Sequence, residues 1–358
     1  MKRVIVTGGA GFIGSALIWK LNREGIDDIL VVDSLGTGEK WRNLSRLRFT
    51  DYVHKSPFLQ QITTDTLLFA PDAIVHMGAC SSTTEQNVDY LMANNYHYTR
   101  SLAEWAAARG VRFLYASSAA TYGNGDGGFA DHVDLCRLAP LNAYGYSKHL
   151  FDWFAERTGL LRQIVGLKFF NVFGPNEYHK GEMASVVFKA FHQIKEEGQV
   201  SLFSSCREKC ADGEQRRDFI YVKDCIEVMW WLLTHPEVNG LFNLGTGRAR
   251  SWNSLAKALF AAMGFPVLIE YIPMPQRLRE HYQYFTQANM DRLSSEGCPM
   301  NFRSLEESVA DYVRNHLHTD FPWLSSTVCA RAQAPGHNDA RRPTNSAADY
   351  ASALHSDS

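Results

Sequence analysis

The 358-residue chain is 45% hydrophobic, and 36 Lys and Arg against 38 Asp and Glu give a formal net charge of -2. That apolar content is ample for two buried cores, and the near-neutral balance supplies no electrostatic pull toward nucleic acid or membrane. Runs such as Val228-Met229-Trp230-Trp231-Leu232-Leu233 fall far short of the roughly 18 residues a membrane span needs. No secretory leader precedes the first predicted strand, and seven cysteines form no regular framework, so a reducing, cytoplasmic setting is expected.

The chain opens with Met1-Lys2-Arg3-Val4-Ile5-Val6-Thr7, a β-branched run that predicts a buried strand, then gives Gly8-Gly9-Ala10-Gly11-Phe12-Ile13-Gly14 before an apolar-periodic helix. Strand, glycine turn and helix in this order form the pattern of dinucleotide binding. Gly8 permits the turn, Gly11 lets backbone approach a pyrophosphate at the helix N-terminus, and Gly14 lets helix and strand pack closely. Ile29-Leu30-Val31-Val32 predicts a second strand. It ends at Asp33, about 20 residues on, where an acid suits the ribose hydroxyls. Ala73-Ile74-Val75-His76, a helix around 87–109, a strand at 112–117, a helix carrying Tyr144 and Lys148, and a strand at 164–169 follow.

This alternation predicts an α/β fold, a Rossmann-type doubly wound parallel sheet over residues 1–170. Beyond Asn171 the regularity breaks at Gly174-Pro175, at the polar insertion 206–215 and at Ile272-Pro273-Met274-Pro275. Residues 171–217 and 247–324 are therefore expected to form a smaller, discontinuous α/β substrate domain. Residues 218–246, with Leu241-Phe242-Asn243-Leu244-Gly245, should return to the first domain as late strands and a crossover. Residues 325–358, rich in Ala, Ser, Asn and Asp, are expected to be a disordered tail. Cys206 and Cys210 lack a second ligand pair, so no metal site is expected.

In Tyr144-Gly145-Tyr146-Ser147-Lys148 a Tyr and a Lys stand four residues apart, on one face of a helix. An ammonium so placed can acidify a phenol and make a base for removing a proton from an alcohol. A free Tyr titrates near pH 10, so a phenolate near pH 7 needs about 4 kcal/mol of electrostatic help.

The glycine fingerprint, this pair and Ser117-Ser118 together resemble the extended short-chain dehydrogenase/reductase superfamily over about residues 1–320. Five blocks in order narrow the likeness: His76-Met77-Gly78-Ala79-Cys80-Ser81-Ser82-Thr83-Thr84-Glu85, Tyr115-Ala116-Ser117-Ser118-Ala119-Ala120-Thr121-Tyr122-Gly123, Asn171-Val172-Phe173-Gly174-Pro175, His179-Lys180-Gly181-Glu182-Met183-Ala184-Ser185 and Tyr282-Gln283-Tyr284-Phe285-Thr286-Gln287. They are similar to the ADP-glyceromanno-heptose 6-epimerase family. The resemblance implies inversion of C6 of an ADP-linked heptose for bacterial lipopolysaccharide, a tightly held NADP, and a homo-oligomer, a pentamer in well-known members. NAD is the alternative cofactor, since Asp33 favours ribose hydroxyls whereas Lys40, Arg42 and Lys55 can neutralise a 2′-phosphate.

The same resemblance assigns Tyr144 and Lys180 as the two acid/base groups, Lys148 to the nicotinamide ribose, and Ser118 to the reacting oxygen. Cofactor contacts are implied for Gly8, Gly11, Phe12, Ile13, Gly14, Asp33, Ser34, Lys40, Lys55, Met77, Gly78, Ala79, Cys80, Ser81, Asn94, Lys148, Val172 and Lys180. Substrate contacts are implied for Asn171, Glu182, Lys189, Phe203, Ser204, Ser205, Cys206, Arg217 and Tyr282, with His179 structural. Where members usually carry Glu, Asn, Ser and His, this chain has Met77, Ser34, Glu182 and Lys189, and its 206–215 loop is longer. A 4,6-dehydratase needs an acidic pair after Ser118, where Ala119 and Ala120 stand. A UDP-hexose 4-epimerase would work with Tyr144 alone, and a non-catalytic dinucleotide sensor would lack the Tyr or the Lys.

Overall fold

The β-branched runs become strands buried on both faces, because helices cover the sheet from either side. The structure, a computed structural model, describes residues 1–279 and 282–326. Its strands are β1 (Arg3–Thr7), β2 (Asp28–Asp33), β3 (Asp51–His54), β4 (Ala73–His76), β5 (Arg112–Ser118), β6 (Ile164–Phe169), β7 (Asn171–Phe173), β8 (Val200–Phe203), β9 (Arg216–Tyr221), β10 (Gly240–Leu244), β11 (Ala249–Ser251) and β12 (Ile269–Ile272). Seven of them form one sheet in the order β10-β6-β5-β4-β1-β2-β3, with every pairing parallel. This is a Rossmann-type doubly wound sheet, as the sequence predicts.

On one face, Leu17 and Leu21 of the Phe12–Arg23 helix meet Val228, Met229 and Leu232 of the Val222–Thr234 helix over Val4, Val6 and Val31. On the other, Leu102, Ala106, Phe151 and Ala155 from the Tyr98–Ala108 and Ala143–Arg157 helices cover Ile5, Ile74 and Phe113. Each fully buried Leu, Ile or Val side chain contributes about 1.5–3 kcal/mol by area. A third core gathers the Val186–Glu197, Trp252–Met263 and Leu305–Tyr312 helices around Phe173, Phe219 and Tyr221. Two small sheets accompany it, β11-β9-β7 and β12-β8.

Three features differ from expectation. Residues 218–221 do not enter the large sheet: β9 pairs with β7 and β11, because Phe219 and Tyr221 bury into the third core while β10 takes the free edge of β6. The Val222–Thr234 helix packs on the large sheet, and β10 joins it beside β6. The helix around 87–109 is interrupted by a wide π-type turn at Met92–His97. Of the expected tail, Ser325 and Ser326 are anchored: the Trp19 indole donates to the Ser325 carbonyl at 3.1 Å, and the Ser326 amide donates to the Arg46 carbonyl at 3.1 Å. The rest of that expectation, 327–358, lies outside the described residues. No helix among the described residues is long and apolar enough to cross a membrane.

Candidate active site

The strand order reverses between β1 and β4, and open α/β sheets form their crevice at such a switch point. Here β1 runs into the glycine turn. Gly8 has φ +66°, and a Cβ there would stand 2.5 Å from the Gly78 nitrogen; a Cβ at Gly14 would stand 2.1 Å from the Gly8 carbonyl oxygen. Neither position has room for a side chain. Gly11 precedes the Phe12–Arg23 helix without a side-chain cap, so its first-turn amides are free to donate to an anion.

At the end of β2 the buried Asp33 carboxylate accepts from the Ala10 amide at 2.9 Å, the Ser34 amide at 2.6 Å and the Lys40 ammonium at 2.5 Å. Lys55 Nζ donates to Asn94 Oδ1 at 2.7 Å. All these groups face one cavity of about 900 Å³, which every residue assigned above to the cofactor lines. Bare glycine turn, uncapped helix, buried acid and two lysines together fit a nicotinamide dinucleotide.

The reacting end is built by two elements. Asn142 caps the Ala143–Arg157 helix, accepting from the Gly145 amide at 2.8 Å, and sets Tyr144 and Lys148 one turn apart on the cavity wall. The end of β5 delivers Ser118 to the same wall. Lys148 Nζ donates to the Ala116 carbonyl at 2.7 Å, and burial draws its pKa down to about 8 against the opposing pull of Asp152 and Cys80. Tyr144 departs from the expectation of an acidified phenol. Burial pushes its pKa up, the hydrogen bond with Ser118 lowers it, and Cys80 raises it. With the Lys148 ammonium turned to Ala116, the chain's own charges leave Tyr144 protonated.

Behind this wall lies a buried network. Asp152, one turn beyond Lys148, accepts from Tyr115 Oη at 2.8 Å and Ser117 Oγ at 2.6 Å and pairs with Lys168 Nζ at 3.2 Å. Lys168 also donates to Thr121 Oγ1 at 2.6 Å. These bonds tie β5, β6 and the Tyr144 helix together, and removing one member of such a pair costs about 3–5 kcal/mol.

Lys180 comes from elsewhere in the chain, in the Tyr178–Met183 turn. Buried Glu177 accepts from the Gly174 amide at 3.1 Å, the Ser185 amide at 2.5 Å and the Ser185 hydroxyl at 2.8 Å. The loop so closed points Lys180 at the cavity, 5.6 Å above the Phe12 ring centroid. Burial lowers its pKa, with Glu177 working against the shift. His179 bonds Asn43 at 3.2 Å, and Asn43 also donates to the Ala10 and Asn176 carbonyls at 2.9 and 3.0 Å. One asparagine thus joins the glycine turn to the Lys180 loop.

Among the residues assigned to substrate, Asn171 lines the cavity, whereas Glu182, Lys189, Phe203, Ser204, Ser205, Cys206, Arg217 and Tyr282 do not. Arg217 and Tyr282 stand just behind it: the guanidinium is 5.2 Å from the Tyr282 ring centroid, and the indole of Trp252, a lining residue, donates to Tyr282 Oη at 3.0 Å. Arg217 is buried, forms no ion pair among the described residues, and burial lowers its pKa. Its neighbour Asp218 binds Thr246, Gly247 and Ala288 instead. The Cys206 amide donates to Tyr284 Oη at 2.9 Å, which places the long loop beside this cluster. Glu182 and Lys189 are exposed and bonded to each other, Lys189 Nζ to the Glu182 carbonyl at 2.5 Å.

Sequence reasoning missed Asn95. Its side chain accepts from the Cys80 amide at 2.8 Å and donates to the Cys80 carbonyl at 3.0 Å and to Ser147 Oγ at 2.9 Å. It clamps the loop after β4 onto the Tyr144 helix. A polar Asn95 on the inner side of a predicted amphipathic helix was the available signal.

A dinucleotide cradle at the switch point, opening onto a Tyr, a Lys and a Ser in one cavity, defines a nucleotide-dependent oxidoreductase-type site. Residues 4–245 match the NAD dependent epimerase/dehydratase family, and the chain belongs to it. Within it, the chain is 58% identical over 321 residues to an ADP-L-glycero-D-manno-heptose-6-epimerase of Nitratidesulfovibrio vulgaris, covering 89% of this chain and 99% of that one. A protein of the same name from Fusobacterium nucleatum is 45% identical over 331 residues, covering 90% and 100%. The crystal structure of the Helicobacter pylori ADP-L-glycero-D-manno-heptose-6-epimerase superposes with a TM-score of 0.69 at 28% identity, over 88% of this chain and 96% of that one.

Proposed function

We propose that the protein inverts C6 of ADP-D-glycero-D-manno-heptose to give ADP-L-glycero-D-manno-heptose, a precursor of the lipopolysaccharide core, in the cytoplasm and as a homo-oligomer, a pentamer by resemblance. The observation that carries this reading is the convergence of two proton-handling side chains, Tyr144 and Lys180, from separate elements on one cavity, in a chain 58% identical to such an enzyme. The bound nicotinamide supplies the hydride acceptor for C6 and, when oxidised, a positive charge that favours the Tyr144 phenolate.

Oxidation of the C6 alcohol to a ketone removes one hydride from carbon and one proton from oxygen, and Tyr144 takes that proton. Ser118, bonded to Tyr144, holds the oxygen. Inversion needs the hydride to return to the other face, so the alkoxide oxygen then points elsewhere and takes its proton from a second donor, Lys180. Burial assists here: a lysine with a lowered pKa releases its proton more readily. Arg217, a buried cation without a carboxylate partner among the described residues, suits the diphosphate, and residues 171–217 and 247–324 carry this substrate side.

In heavy water, no deuterium should enter C6, since the hydrogen removed is the hydrogen returned; abstraction of a proton next to a carbonyl would wash deuterium in. Tyr144→Phe and Lys180→Met should each lower turnover by about 10²-fold to 10⁴-fold with bound dinucleotide unchanged. Lys180→Met at the wild-type rate would overturn the second acid/base role and favour a single-base scheme.

NADP is the expected cofactor. Lys40 neutralises Asp33, and Lys40 and Lys55 offer cations to a 2′-phosphate. Denaturing the protein and identifying the released dinucleotide by mass tests this, and finding only NAD overturns it.

A further inference from the structure

Residues 284–288 run alongside β9. The Arg216 amide donates to the Tyr284 carbonyl at 2.9 Å, the Thr286 amide to the Arg216 carbonyl at 3.2 Å, and the Ala288 amide to Asp218 Oδ2 at 3.0 Å. From the start of this strap, Gln283 Nε2 crosses to the Gly123 carbonyl at 2.5 Å, in the turn that follows Ser118. Only glycine fits there: Gly123 has φ +61°, and a Cβ on it would stand 1.9 Å from the Ala139 carbonyl oxygen. The bond orients the Gln283 amide with its NH₂ toward Gly123. Its Oε1 is left as a hydrogen-bond acceptor in the cavity wall that Gln283 shares with Ser118, Asn171 and Trp252.

Thr286 lines the same cavity and is 3% exposed, yet its Oγ1 is buried without a hydrogen-bond partner among the described residues. A buried hydroxyl without a partner has given up water for nothing. Rotation about its Cα–Cβ bond exchanges hydroxyl and methyl, so a hydroxyl-bearing ligand can give Oγ1 the partner it lacks. The strap therefore holds an oriented acceptor in the cavity wall and, just behind it, an unpartnered hydroxyl, both beside the group that holds the reacting oxygen.

We propose that Gln283 and Thr286 form the seat for the sugar hydroxyls of the substrate, a binding role separate from the nucleotide contacts of Arg217 and Tyr282. It rests on the reading that the cavity takes a nucleotide-linked sugar. Polyol recognition needs acceptors and donors held at fixed positions, and the strap is tied at one end to the Gly123 carbonyl and at the other to the buried Asp218 carboxylate.

The test compares ADP-mannose with ADP by equilibrium dialysis on wild type, Thr286→Val, Thr286→Ser and Gln283→Met. Thr286→Val and Gln283→Met should weaken ADP-mannose binding by roughly 3-fold to 30-fold, the worth of one or two hydrogen bonds, and leave ADP binding unchanged. Thr286→Ser should restore wild-type binding. Thr286→Val should melt no lower than wild type, because it replaces an unpartnered hydroxyl by a methyl group, whereas a merely structural threonine would melt lower on substitution. Unchanged ADP-mannose affinity in both variants, or an equal loss for ADP, overturns the seat. Wild-type protein that binds UDP-glucose and no ADP-sugar overturns the ADP-heptose reading instead, and UDP-glucose against UDP in the same variants then judges the seat.

Discussion

Lys148 shows how burial sets a working range. Its ammonium is held on the Ala116 carbonyl, and its pKa lies near 8 in place of the usual lysine value of 10.5. If the charged form binds the nicotinamide ribose and favours the Tyr144 phenolate, kcat/KM should fall as pH rises through about 8. Stability should move the other way: between pH 8 and 10.5 the unfolded chain holds a proton on this lysine that the folded chain lacks. This group's contribution therefore rises with pH over that window, by at most about 1.4 kcal/mol per unit. A pH–rate profile and urea melts at pH 7.5 and 9.5 check both signs; a flat profile up to pH 10 sinks the role. The pair itself was legible, since Tyr144 and Lys148 are local and helical spacing fixes their shared face. The direction of the Tyr144 shift was not, because it depends on Ser118 and Cys80 and on burial, which are settled only when distant segments pack.

Among the elements, the π-type turn at Met92–His97 is the one that spacing could not reveal. An apolar period predicts a helix over 87–109, and a helix is there on either side of the turn. The extra residue in the turn aims Asn95 inward, onto Cys80 and Ser147, as such turns often do at functional sites. Asn95→Ala would leave the Cys80 amide and carbonyl without their partner, at about 1–3 kcal/mol for each unsatisfied group. The variant should melt lower and retain less dinucleotide after dialysis, as read by absorbance at the nicotinamide band. Full retention would limit Asn95 to packing. Strand β9 carries a related lesson: its apolar run announces a strand, but Phe219 and Tyr221 choose the third core over the large sheet, and partner choice between non-local surfaces has no local signature.

At the scale of the whole molecule, residues 321–326 act as a clasp. Tyr178 Oη donates to the Pro322 carbonyl at 2.9 Å, the Leu324 amide to Asn176 Oδ1 at 2.9 Å, and Asn176 in turn to Ser15 Oγ at 2.9 Å. A chain ending at Ser326 should keep wild-type melting and turnover, since it retains every one of these clasp contacts. A chain ending at Asp320 should lose turnover by 10-fold or more, because Asn176 and Tyr178 flank the Lys180 loop. A fall of more than a few degrees in the melting temperature of the Ser326-terminated chain would contradict the first expectation. Composition alone ends the folded region at Leu324, short of its anchored residues: Ser325 and Ser326 hold on mainly through backbone carbonyl and amide groups, with the Ser326 hydroxyl donating to the Arg46 carbonyl at 2.9 Å, contacts that an apolar pattern does not record.

The clasp also orders events in time. A chain emerging from the ribosome completes β1 to β5, and with them the glycine turn, long before Leu324 exists, and N-terminal units fold first during synthesis. The dinucleotide cradle can therefore form on a nascent chain whose Lys180 loop still lacks the contact that secures it. The Lys180 loop is thus the last part of the cavity wall to gain its clasp, so a prematurely released chain would carry the cofactor cradle beside a loop that lacks its contacts with residues 322 and 324.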